Sequence, residues 1–213
     1  MRTEILTSAQ CDVLERLKTL PEVAAFYLAG GTALALHLGH RRSVDFDFFT
    51  EQDFDATDLR ERLSVEFGDA PVLRQAARTL YVRLLGVTTS FFAYRYPLLD
   101  APTSTTWGFG LAGLRDIAAM KLEAIGGRGS KKDFVDLYFL CRQFDLVDVF
   151  RVFAEKYRGS GYDPYHRLRA LTHFADAEAQ PLPEMMDPVD WGDVRRFFEE
   201  RARALWESGT PLP

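Results

Sequence analysis

The 213-residue chain has only two cysteines, Cys11 and Cys141, and no apolar run long enough to span a bilayer. Two thiols in helix-like patterns make neither a disulfide framework nor a metal spacing, and both are expected to stay reduced. The opening "MRTEILTSAQCDVLERL" lacks an apolar signal core and a small-residue cleavage site. The expected compartment is therefore the cytosol, with no membrane partner. Excess positive charge is missing too: a net charge of −5 argues against a surface coated for nonspecific nucleic-acid binding. Local basic clusters are still allowed, and His40-Arg41-Arg42 and Arg128 with Lys131-Lys132 are two of them. Internal repeats and low-complexity tracts are absent. An apolar share of 47% and this length suit one large domain, or one domain with an attached bundle.

Periodicity orders the first half as a mixed α/β unit. Ser8 to Leu20 reads as an amphipathic helix closed by Pro21, and Ala24 to Leu28 as a short buried strand. Thr32 to Leu38 reads as a helix capped by Thr32, Ser43 to Phe49 as a strand, and Asp58 to Phe67 as a helix. Leu80 to Leu85 and Thr88 to Tyr94 predict a hairpin turning at Gly86. Pro97 and Pro102 mark a loop, and strand signals end after Trp107. Helices follow over 114–125, 131–142, 147–157, 164–174 and 189–206, which predicts a helical bundle behind a boundary between Pro97 and Gly110.

The chemistry sits in "FYLAGGTALALHLGHRRSVDFDFF", residues 26–49. A strand that runs through Gly30-Gly31 into a helix presents backbone N–H groups at a helix amino terminus, where a phosphate is favoured. The competing reading is a tight structural turn. In the next strand, alternation puts Arg41, Ser43, Asp45 and Asp47 on one face and Val44, Phe46 and Phe48 on the other. Two carboxylates so placed repel unless a cation lies between them, and Mg²⁺ is commonly held by one or two carboxylates with substrate phosphates. An exposed face with paired acids is the alternative. Further on, Lys121 and Arg128 share a helical face that could meet a triphosphate, or Lys121 snorkels from an amphipathic helix. Ser130-x-x-Asp133 reads as a capping box, and Asp136 can pair with Lys132 four residues earlier.

These two blocks resemble a known family. Gly30-Gly31-Thr32 with Arg41-x-Ser43-x-Asp45-x-Asp47-Phe48-Phe49 is similar to the signature of the DNA polymerase β-like nucleotidyltransferases. Lys121-x-x-Ala124-x-x-x-Arg128-x-x-x-Lys132-Asp133-x-x-Asp136-Leu137 narrows the resemblance to the AbiEii/AbiGii group, toxins of abortive-infection and toxin–antitoxin systems. It runs collinearly from residue 26 to 141. It implies an α/β (α+β) fold: a polymerase β-like core with a mixed sheet over 1–100, and a helical subdomain over 101–213 contributing to the active-site cleft. It further implies that Gly30, Gly31 and Thr32 hold nucleotide phosphates, Asp45 and Asp47 bind Mg²⁺, and Arg41 and Ser43 line the pocket. Lys121, with Arg128 beside it, would contact the nucleotide, and Asp133 or Asp136 would assist the attacking hydroxyl. The expected function is Mg²⁺-dependent transfer of NMP from an NTP to an RNA (tRNA) or protein acceptor, by a toxin with a cognate antitoxin. One departure stands out: the strand "TTSFFAYRY" carries no third carboxylate, and Ser90 is its only small polar residue near the middle. Two other readings are a catalytically silent nucleotide-binding or protein-interaction module, and a small-molecule nucleotidyltransferase of the antibiotic-modifying kind.

Overall fold

Thr7 and Gln10 begin the first long helix by a reciprocal cap: Thr7 N–H donates to Gln10 Oε1 at 3.0 Å and Gln10 N–H to Thr7 Oγ1 at 3.2 Å. The helix, α1 (Ser8–Leu17), buries Val13, Leu14 and Leu17 on one stripe. In the computed structural model, which describes residues 1–209 and 211–213, the chain divides into two units, Met1–Gly113 and Leu114–Pro213.

In the first unit α1 is followed by β1 (Tyr27–Ala29), α2 (Gly30–Leu38), β2 (Phe46–Thr50), α3 (Ala56–Phe67), β3 (Val72–Ala76), β4 (Thr79–Leu84), β5 (Val87–Ala93), β6 (Thr103–Ser104) and β7 (Gly110–Leu111). The strands make one seven-stranded sheet in the order β3-β4-β5-β2-β1-β7-β6. It is mixed: β2 with β5 and β1 with β7 are parallel, and the other pairs antiparallel. On β2 burial alternates, with Phe46, Phe48 and Thr50 buried and Asp47 and Phe49 half-buried. Phe48 stacks on Phe91 of β5 at 5.2 Å between centroids, and burying each such ring contributes about 1.5–3 kcal/mol. The hairpin turns where expected. Leu84 pairs with Val87, and Leu85 and Gly86 both take left-handed dihedrals, φ 47° and 85°, as a two-residue turn with positive φ at both central positions requires.

Some local expectations do not hold. Residues 42–45 are not strand, so Val44 does not join the core face but is 70% exposed. β3 gave no alternation because all five of its residues are exposed at the sheet edge. β7, beyond Trp107, is two residues long, too short for a pattern. Thr32 does not cap α2: the helix starts two residues earlier, behind Ala29.

The second unit contains α4 (Leu114–Gly127), α5 (Lys131–Leu140), α6 (Leu146–Lys156), α7 (Pro164–Ala170), α8 (Ala175–Glu178) and α9 (Trp191–Glu207). Its core includes Phe134 of α5 in ring contact with Phe174, Trp191 and Phe198. Lys156 of α6 and Asp116 of α4 form a wholly buried ion pair at 2.6 Å. Such a pair is weak evidence for stability, but removing one partner typically costs about 3–5 kcal/mol. Lys131, one of the three residues of a basic cluster in the sequence, is buried, with Nζ 4.9 Å over the Trp191 ring. Neither cysteine is in a disulfide, and burial pushes the Cys141 thiol up to about 12, so it is protonated at neutral pH. Among the described residues no helix is long and apolar enough to cross a membrane.

Candidate active site

Gly30 has φ +64°, a left-handed conformation that L side chains rarely adopt. A methyl group there would lie 2.7 Å from Asp47 Oδ2. A methyl at Gly31 would strike the Arg41 guanidinium and lie 3.0 Å from Ser43 Oγ. The two glycines are thus needed because the side chains of Asp47, Arg41 and Ser43 close on the turn. Five of the residues singled out in the sequence come together here. The turn is also the start of α2, whose N-cap Ala29 supplies no side-chain acceptor. Its first N–H groups and the helix dipole favour an anion.

The loop between α2 and β2 is held by polar side chains. Gln10, which caps α1, donates through Nε2 to the Ser43 carbonyl at 2.8 Å. Arg42 Nη1 donates to the Ile5 carbonyl at 3.3 Å, and Arg41 Nη1 to the Arg42 carbonyl at 2.8 Å. Thr32 is buried and its hydroxyl donates to the Asp45 carbonyl. That bond ties the first turn of α2 to the segment carrying Asp45 and leaves the Thr32 backbone N–H at the helix start. Gln10 was not singled out in the sequence, since nothing in a capping box says where the second amide group points. Arg41 is itself buried, so it and Lys131 do not extend a basic surface.

Asp47 lies on β2 with Ser90 as its partner on parallel β5. Ser90 is buried. Among the described residues no group of three or more His, Cys, Asp or Glu side chains is arranged to hold a metal ion. Of the two expected metal carboxylates, Asp47 brings a hard oxygen donor to the turn, its Oδ2 lying beside Gly30. A carboxylate oxygen beside a phosphate-favouring helix start fits Mg²⁺, which keeps several waters and shares substrate phosphate oxygens.

A second cluster lies within the helical unit. Lys121 Nζ is 2.9 Å from Asp133 Oδ1 and 2.7 Å from Asp136 Oδ2, with side-chain exposures of 6%, 0% and 0%. Arg128, 63% exposed, forks onto Asp133 at 2.9 and 3.2 Å. Ser130 Oγ donates to Asp133 Oδ2 at 2.5 Å. Burial works to raise the Asp133 pKa. The Lys121 charge, the Arg128 hydrogen bond and charge, and the Ser130 hydroxyl outweigh it and hold the carboxyl well below its ordinary 3.8. The Ser130–Asp133 contact is side chain to side chain in place of a capping box, and Asp136 pairs with Lys121 and not with Lys132.

The comparisons with known proteins join this geometry. A family model described as the nucleotidyl transferase AbiEii toxin of a type IV toxin–antitoxin system matches residues 12–80. The chain belongs to the AbiEii nucleotidyltransferase family. It is 39% identical over 208 residues to an uncharacterised protein of Aquifex aeolicus (strain VF5), covering 95% of this chain and 98% of the relative. Its fold is similar to the crystal structure of a proposed nucleotidyltransferase from H. pylori, with TM-score 0.56, 16% identity, and coverage of 95% and 97% of the two chains. It is also similar to MenT4, a nucleotidyltransferase toxin from Mycobacterium tuberculosis H37Rv, with TM-score 0.55, 18% identity, and coverage of 95% and 89%. As an AbiEii member the protein is a toxin-type nucleotidyltransferase, and its fold is similar to those of solved nucleotidyltransferases. The matched AbiEii segment contains the Gly30–Asp47 cluster and ends before Lys121.

Gly30→Ala tests how tightly the AbiEii turn is built. The left-handed backbone costs a side chain about 1–2 kcal/mol, and the added methyl pushes Asp47 Oδ2 aside. A displacement of that size is expected to lower nucleotidyl transfer about 10²-fold, with thermal melting showing only the modest stability loss.

Proposed function

We propose that the protein transfers NMP from an NTP to a hydroxyl of an RNA or protein acceptor in a Mg²⁺-dependent reaction, as the toxin of a pair with a cognate antitoxin. The carrying observation is the closure of Asp47, Arg41 and Ser43 on the Gly30–Gly31 turn. The N–H groups at the start of α2 bind the β- and γ-phosphates, and the Arg41 guanidinium beside Gly31 offsets their charge. Asp45 and Asp47 would hold Mg²⁺, which supplies charge neutralisation at the α-phosphate and the leaving oxygen. The acceptor oxygen forms a bond to the α-phosphorus, the α–β bridging bond breaks, and pyrophosphate leaves.

One observation favours a second reading. Ser90, not a carboxylate, stands beside Asp47 on β5, which suits a protein that binds a nucleotide without chemistry. Incubating the protein and Mg²⁺ with α-labelled and, separately, γ-labelled NTPs in the presence of cellular RNA and protein decides between them. Transfer of the α-label alone is expected. Binding of NTP with no α-label on any macromolecule would overturn the transferase reading and leave the silent binder.

A further inference from the structure

On the half-buried face of the first unit's sheet, the strand register sets a row of side chains that crosses Asp47. It runs from Ala29 on β1 through Asp47 on β2, Ser90 on β5 and Tyr81 on β4 to Arg74 on β3. Ala29 leads straight into the Gly30–Gly31 turn. The helix start therefore lies on one side of Asp47, and Ser90 with Tyr81 on the other. Tyr81 is half-buried, and its ring meets Phe92 of β5 edge-on at 5.3 Å. Diagonal neighbours on a ladder start about 7–8 Å apart, so this approach tilts the Tyr81 ring toward β5. Among the described residues its hydroxyl has no hydrogen-bond partner. Other hydroxyls of this face are less available. Ser90 is nearer to Asp47 but only 2% exposed, Tyr27 is buried, and Tyr94 and Tyr96 pack on each other beyond the end of β5 at 5.1 Å. Arg74, the partner of Tyr81, and Arg83, two residues along β4 on the same face, are exposed. Neither is in an ion pair among the described residues.

We propose that Tyr81 is an internal acceptor, and that the protein transfers NMP to this phenolic oxygen within one chain. The inference rests on the transfer reaction proposed above and adds a regulation of the same site. In-line displacement puts the attacking and leaving oxygens on opposite sides of the α-phosphorus. With pyrophosphate leaving at the start of α2 and the α-phosphate at Asp47, the attack comes from the side of β5 and β4. Tyr81 stands two strand spacings from Asp47, about 10 Å between backbones. Its long side chain and the α-phosphate reach toward each other across that gap, over the small Ser90. The phenolic oxygen bonds to the α-phosphorus, the α–β bridging bond breaks, pyrophosphate leaves, and the phenolic proton passes to solvent. The product is a phosphodiester with one negative charge, and the Arg74 and Arg83 guanidinium groups beside it are its donors. An NMP group on Tyr81 then fills the side from which an external hydroxyl must come. Self-transfer thus lowers transfer to other acceptors.

The test incubates the full chain with Mg²⁺ and each α-labelled NTP, first alone and then with cellular RNA and protein. Peptide mass spectrometry is expected to find NMP on Tyr81 of wild type and none on Tyr81→Phe, with no label from γ-labelled NTP. The labelled fraction is expected to grow at a rate independent of protein concentration. Arg74→Ala/Arg83→Ala is expected to slow it about 10- to 100-fold, and melting curves confirm that each variant is folded. Preincubation with NTP is expected to lower later transfer to external acceptors by wild type and to change nothing in Tyr81→Phe. Label on another residue, or equal labelling of Tyr81→Phe, would overturn the internal acceptor. A rate that rises with protein concentration would overturn transfer within one chain, and undiminished external transfer by self-labelled wild type would overturn the regulation. Transfer to cellular RNA or protein without self-labelling would overturn this inference alone. Bound NTP with no α-label on any macromolecule would overturn the proposed function with it.

Discussion

Asp47→Asn lowers nucleotidyl transfer by about 10³-fold or more and leaves the melting temperature nearly unchanged. Asparagine has the shape of aspartate, and the position is half-buried on β2 with Ser90 as its cross-strand partner, so little packing is lost. The carboxylate charge is lost entirely. Its Oδ2 lies where a Gly30 side chain would have to go, beside the helix start that is to hold phosphates. With no third carboxylate on β5, each of the two acids would carry a large share of the proposed cation binding. Losing several kcal/mol of transition-state charge stabilisation corresponds to about a thousandfold in rate. Single-turnover transfer from an α-labelled NTP measures the effect. Activity within tenfold of wild type would remove Asp47 from the reacting centre.

Lys121→Met is expected to cost about 3–5 kcal/mol of stability at neutral pH, the usual effect of deleting one partner from a buried ion cluster. Asp133 keeps its fork to Arg128 and the Ser130 hydroxyl, but Asp136 loses the ammonium 2.7 Å away. The pH dependence reverses in sign between the two proteins. In wild type the folded Asp133 pKa is below its ordinary 3.8. Its stabilisation is therefore present above about that pH and is lost as pH falls below it. In the variant the buried Asp136 carboxyl lacks the Lys121 ammonium that favoured its charged form, so its pKa rises and the folded state gains as pH falls from neutral toward 5. Denaturant unfolding at pH 7 and pH 5 should show the variant's deficit shrinking at the lower pH. A Lys121 that served only the nucleotide would give the opposite pattern: full stability at both pH values and lost transfer alone.

The features set by short-range rules were legible in the sequence. The Gly30–Gly31 break, the Leu85–Gly86 hairpin, the alternation Phe46-Asp47-Phe48 and the helical periodicity beyond residue 114 depend on dihedral preferences and on periods of 2 and 3.6. Tertiary structure decided the partners. Thr32 reads as a cap by its position before an apolar run, yet its hydroxyl reaches thirteen residues ahead to the Asp45 carbonyl. Asp136 reads as the partner of Lys132, because i,i+4 neighbours meet on any helix, yet α5 is packed so that Asp136 meets Lys121 on α4. Strand alternation extended back to Arg41 assumed a ladder that residues 42–45 do not make. They are held by Gln10 and Thr32. Likewise, the aromatic residues of β2 and β5 gave only strand propensity, and it took the parallel register Asp47–Ser90 and Phe49–Phe92 to set rings and carboxylate on one face. Local chemistry singled out the Gly30–Gly31 turn and the Asp-x-Asp pair of this toxin-type nucleotidyltransferase. Which side chains meet there depends on hydrogen bonds and packing between segments far apart in the chain, and no local pattern encodes those.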